Sequence, residues 1–251
     1  MVRVFLVATL VVLCAVASIG ESLLIPYGAF ADGDQARKVK KVVDRATFHR
    51  KLNENRFNTT AEVLGFLLDR MALTSAMMRH LELEKYVIAR DDDGTMTYDD
   101  KAGMTGTFEP VYETTVKRIF YGNGLFDVGF LGKVRGESVL VMDYREEQPD
   151  VVCNTVTVFI RVHGLLGPLC RLASPVLNGM VGKKSASLLD ASVKLSELLA
   201  SDPEKVYEDI KDCANITAEQ LTIFRESFFG AEEESEPAEP SVQRPSTGGG
   251  T

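Results

Sequence analysis

Between residues 85 and 163 the sequence keeps a period of two through about six extended stretches, with no helical stretch between them. Consecutive strands without crossover helices pair antiparallel, so the chain must build a meander and then cover it. "KYVIARDDDGTMTYDD" reads as a hairpin closed at Asp93-Gly94. "GTFEPVYETTVKRIFYGNGLFDVGF" reads as a long strand, a tight turn at Asn123-Gly124 and a return strand, since Asn-Gly is the strongest short hairpin signal. "VRGESVLVMDYREE" and "VVCNTVTVFIRV" pair across "EQPD".

The last strand is the most informative. Val152, Asn154, Val156, Val158, Ile160 and Val162 occupy its even positions, while Cys153, Thr155, Thr157, Arg161 and His163 stand among the odd ones. One face is therefore expected to be buried and the other largely wet. The strand runs directly into "HGLLGPLCRLASPVLNGMV". There Pro168 suits a first helical turn, and Leu169, Leu172, Ala173, Val176, Leu177 and Met180 recur at helical spacing. Pro175 must kink or divide that helix, and the pattern resumes from Leu188 to Leu199.

Upstream, residues 32–57 read as a helix or turn to about residue 45 and a strand to about residue 53. "NTTAEVLGFLLDRMALTSAMMRHLEL" opens on a capping box, Thr59-x-x-Glu62, and divides into two short helices over 60–69 and 72–81. Their methionine-rich face suits a core, and thioethers would also suit a binding wall. Downstream, Asp202-Pro203 and Thr217-x-x-Gln220 start two small helices, and Phe224, Phe228 and Phe229 are expected to dock back on the body.

This order of elements resembles the START-like, or SRPBCC, superfamily, the helix-grip fold of polyketide cyclase-like and coenzyme Q-binding proteins. The resemblance covers roughly residues 46–200. It rests on "TTAEVLGFLLDR", similar to the helix after the first strand, and on "VTVFIRVHGLLGPLCRLASPVLNGMVGKKSASLLDASVKL", similar to the final strand and gripping helix. It implies an α+β fold in which six to seven antiparallel strands wrap on a long kinked C-terminal helix, with two short helices near the start. It also implies a cavity for a lipid or another hydrophobic small molecule. Carried over by position, Leu169, Leu172, Val176, Leu177 and Met180 of the helix would face the sheet. Val156, Val158 and Ile160 would face the helix from the last strand, and Phe108, Tyr112 and Val116 from the long hairpin.

Charge and motif content narrow the chemistry. Half of the net charge of −8 sits in residues 230–251, a Glu-, Pro-, Ser- and Gly-rich stretch expected to be disordered. No basic patch is interleaved with aromatics, which leaves nucleic-acid binding without support. Asp91, Asp92, Asp93, Asp99 and Asp100 cluster, but a calcium loop counted from Asp91 would put Gly94 at the fourth position and Ala102 at the twelfth; the cluster reads as turn and solvated loop. Cys14 lies in the apolar leader; Cys153, Cys170 and Cys213 show no metal-type spacing and read as small apolar residues, with one bridge among them as the alternative in an oxidising compartment. No triad spacing accompanies His49, His80 or His163.

The first residues, "MVRVFLVATLVVLCAVASIGES", carry one Arg and then an apolar or small run from Val4 to Gly20. This fits a signal peptide cleaved after Ala17 or Ala31, with an uncleaved membrane anchor as the alternative. The expected organisation is a leader over 1–31, the START-like domain over 32–200, a small helical extension over 201–229 and an acidic tail over 230–251. The expectation is an exported binding protein for a lipid or other hydrophobic small molecule, with no cofactor, metal or catalytic residue, periplasmic or secreted, or else associated with a membrane through its N-terminal segment. The alternatives are a cyclase- or aromatase-like enzyme using Tyr112, Tyr144, Arg161 or His163, and an envelope structural protein with a filled core.

Overall fold

The structure, a computed structural model, describes residues 25–92, 94–127, 132–164 and 174–230, the last stretch with side chains from residue 182 onward. Among these, eight strands form one antiparallel sheet: β1 (Phe48–Lys51), β2 (Asn55–Phe57), β3 (Val87–Arg90), β4 (Met96–Asp99), β5 (Thr105–Glu113), β6 (Lys117–Asp127), β7 (Lys133–Gln148) and β8 (Val151–Val162). Their spatial order is β1-β8-β7-β6-β5-β4-β3, and β2 also pairs with β8. The meander of the sequence is therefore the sheet, and the two short early strands return to its last one.

The hairpin between β5 and β6 turns at Thr114–Val116, where Lys117 donates its backbone N–H to the Thr114 hydroxyl. Asn123-Gly124 is not a turn; it lies inside β6, where Gly124 pairs with Gly106 on one side and with Gly136 on the other. The dipeptide's glycine serves close approach instead of a left-handed turn. A Cβ on Gly106 would stand 2.4 Å from the Asn123 carbonyl oxygen, and one on Gly124 would stand 2.3 Å from that of Thr105. A glycine row across three neighbouring strands lets their backbones approach closely there.

Both faces of the sheet are covered. Helix α1 (Gly33–Asp44) is capped by the Asp32 side chain and buries Val39 and Val42 against the outer face. That face carries Val139 and Val141 of β7, Ile119 of β6 and Phe159 of β8, so the odd positions of β8 are not the wet face that alternation with polar residues suggested. Cys153 and Thr157 on this side are each 1% exposed. The short side chains Thr and Cys pass for solvent-facing in a sequence, yet here they are buried, the Cys153 thiol donating to Glu147.

The inner face is covered by α2 (Ala61–Asp69), α3 (Met71–His80) and the long α4 (Ser174–Ser201). The cap of α2 is Thr60, which accepts from the Val63 N–H; Thr59, one residue earlier, is buried and donates to the Ser196 carbonyl of α4. In α4 the described helix runs without a break from Ser174 through Pro175 to Ser201, so Pro175 does not divide it. Pro168 lies outside the described residues. Helices α5 (Pro203–Ile210) and α6 (Ala218–Phe229) start at the Asp202 cap and at a full Thr217–Gln220 capping box. They seat Val206, Ile210 and Phe224 in one core with Met77 and Met78 of α3 and Leu195 and Leu199 of α4. Phe229 at the end of α6 stays 41% exposed. No described helix is long and apolar enough to cross a membrane.

Candidate functional site

Between the sheet, α2–α3 and α4 a cavity of about 330 Å³ remains. Its composition follows from the elements around it. Helices α2 and α3 contribute Leu64, Leu67, Leu68, Met71 and Met78, the same stripe that makes them amphipathic. The sheet contributes Phe108, Phe120, Leu140, Met142 and Val156 from its inward positions. Helix α4 contributes Leu188 and Leu189, one turn before its buried Ala191. The floor is Gly106, Gly122, Gly124 and Ser138, whose side chains are absent or small, which leaves the volume open.

Helix α4 is held over this space by contacts of two kinds. Toward its C-terminal end, Leu195 and Leu199 are fully buried, and Asn58 donates to Glu197 at 2.6 Å. Toward its N-terminal end the ties are polar: Lys184 to Asp100 and Ser187 to Glu84. The Asp100 carboxylate also accepts backbone N–H groups of Ala102 and Met104, so it closes the β4–β5 loop and anchors the helix. Burial pushes its carboxyl up, but Lys184 and these N–H groups outweigh that and hold it below the ordinary value. The acidic cluster is thus a structural loop, with Asp93 outside the described residues. No group of three or more metal-type ligands occurs among the described residues.

The residues expected from sequence fall in several places. Phe108 and Val156 line the cavity. Val158 and Ile160 continue the same face of β8 beyond the lining residues. Tyr112 does not face inward: a bulge between Pro110 and Tyr112 reverses the alternation, and Tyr112 packs on Phe30 at the outer face. Val116 sits in the β5–β6 turn and is 55% exposed. Leu169 and Leu172 lie outside the described residues, and for Val176, Leu177 and Met180 only the backbone of α4 is described.

None of the four side chains that an enzymatic reading would use lines the cavity. Arg161 and His163 are on the outer face, both bonded to Glu137 Oε2, at 2.6 and 3.1 Å. The Tyr144 hydroxyl donates to the Thr114 carbonyl and accepts from Arg118 Nε. That arginine is almost fully buried and pairs with Asp69 and Glu113, locking the end of α2 to the sheet. Among the described lining residues there is no carboxylate, imidazole, amine, guanidinium or thiol. Tyr86 and Tyr98 have hydroxyls that burial pushes well above their ordinary value, so they stay neutral.

Sequence reasoning missed Asn154. Its side chain lines the cavity, it is 1% exposed, and neither Nδ2 nor Oδ1 has a hydrogen-bond partner. The signal was a single amide within an otherwise aliphatic inward register, Val152, Val156 and Val158.

No family model and no curated relative matches the chain. Among solved structures it is similar to a conserved protein from Geobacillus kaustophilus, at 13% identity over 60% of this chain and 95% of that one, with a TM-score of 0.45. It is also similar to a START superfamily protein from Mycobacterium smegmatis (13% identity, 60% and 98% coverage, TM-score 0.41). A third is the Zhui aromatase/cyclase from Streptomyces sp. R1128 (14%, 62% and 99%, TM-score 0.45). The likeness is one of fold. What the cavity holds rests on this chain's own residues.

Proposed function

We propose that this chain is an exported binding protein that carries a lipid or another hydrophobic small molecule between its sheet and α4. The observation that supports this reading is the apolar cavity itself. Its 330 Å³ lies at the lower end of the range of small-molecule pockets, roughly 300–1,000 Å³. A hydrophobic molecule seated there would remove both its own apolar surface and that of the wall from water, which is the favourable direction. A floor of glycines and Ser138 keeps the space open, where larger side chains would close it. The apolar run from Val4 to Gly20 supports export, with the N-terminal segment removed or kept as an anchor.

Leu140→Trp tests this reading. Leu140 lies mid-strand on the cavity wall, and the natural chain has no Trp, so the new indole is also a unique fluorophore. Saturating lipophilic ligands should raise the thermal midpoint of the natural protein by several degrees. The variant should fold with its indole in an apolar environment and show no such shift. A natural protein indifferent to a broad lipid panel, or a variant that responds equally well, would contradict the reading.

A further inference from the structure

The cavity wall contains one group whose presence the packing does not explain. In β8 the inward positions around Asn154 are Val152, Val156 and Val158, and a fourth aliphatic side chain would complete the surface. Instead an amide is buried there with both polar atoms unpartnered. Neighbouring polar groups are already committed. The Tyr144 hydroxyl, on the paired residue of β7, goes to Thr114 and Arg118. Across the cavity, the Thr74 hydroxyl donates to the Leu67 carbonyl and that of Ser192 to the Leu188 carbonyl. A desolvated amide without partners is among the costlier things a core can hold, and such groups in folded proteins mark missing partners.

We infer that the missing partner is the ligand's head group, and that Asn154 selects hydrophobic molecules with one uncharged group that both donates and accepts hydrogen bonds, of the carboxamide or lactam class. This rests on the cavity reading above. The charge state follows from the wall: with no ionised side chain on it among the described residues, a carboxylate or ammonium would be desolvated without a counter-charge. The two-way hydrogen bonding follows from the amide, which presents a donor and an acceptor side by side. A carboxamide or lactam matches both at once. An ester satisfies only the donor, and a hydrocarbon satisfies neither.

Competition binding with dodecanamide, methyl dodecanoate and dodecane against a polarity-sensitive dye tests this on the natural protein, with no variant needed. The amide should bind roughly tenfold to a hundredfold more tightly than the ester, the equivalent of one or two buried hydrogen bonds. Asn154→Leu, close in size, should remove that preference and bind dodecane more tightly than the natural protein does. Equal affinity for amide and ester in the natural protein overturns the inference, and so does a preference that survives in Asn154→Leu. Failure of all three probes to bind would instead contradict the cavity reading and remove the basis of this one. Binding of all three without preference leaves the cavity and discards the role of Asn154.

Discussion

Glu137 and Asn154 show opposite treatments of a polar side chain on the two faces of one sheet. Glu137, on the outer face, accepts from the Tyr121 hydroxyl at 2.8 Å and from Arg161 at 2.6 Å, with His163 beside it. Burial pushes its carboxyl up, but the Tyr121 hydroxyl and the charges of His163 and Arg161 outweigh that and hold it below the ordinary carboxylate value. A depressed folded pKa stabilises the native state above the unfolded value, about 4.3, and that contribution is lost as pH falls through the folded one. Glu137→Gln should therefore be less stable than the natural protein at pH 7, with the gap narrowing on acidification toward pH 3; denaturant titrations at both pH values measure it. A gap independent of pH would mean that the carboxylate's charge is immaterial. Alternation placed Arg161 and His163 together on the outer side and Asn154 on the inner side. The sequence could not show that Asn154 lacks a partner, because that depends on where the Tyr144 hydroxyl points.

The elements were legible in existence more than in use. Both early helices, the β7–β8 hairpin, the hairpin before Met96 and the two capped C-terminal helices follow from period and cap chemistry. The β5–β6 hairpin was displaced, because Asn-Gly favours a tight turn only where the chain has to reverse. In β6, pairing on both sides keeps the strand straight through, and the glycines at 106, 124 and 136 meet backbone to backbone. Tyr112 was lost for a related reason: a bulge shifts the alternation by one, and no residue in "FEPVYE" announces it beyond a proline. Gly106→Ala tests the glycine row at this scale. Its Cβ would press on the Asn123 carbonyl and the Gly124 Cα, neither of which can swing away, so a loss of about 2–3 kcal/mol is expected in a denaturant titration. A loss below about 0.5 kcal/mol, the range of ordinary surface changes, would show that the strands have room there.

For the whole molecule, one sheet separates two cores, and the cavity belongs to only one of them. The outer core under α1 is filled and closes around Val39, Val42 and Phe159. The inner core is well packed where α3, α4, α5 and α6 meet, around Met77, Leu195 and Phe224, and open between the glycine floor of the sheet and Leu188 and Leu189 of α4. The strand-to-helix order fixed the layer that holds the cavity. Its contents and shape came from backbone approach at glycines and from one bulge, which periodicity does not encode. On the proposed function, a hydrophobic molecule completes the inner core. Native mass spectrometry of the natural protein, gently purified from cells and followed by organic extraction, tests it most directly. The expected result is one lipophilic molecule per chain, released on unfolding and missing from Leu140→Trp. A spectrum showing only the bare chain mass for both proteins, with nothing recovered in the extract, would contradict it.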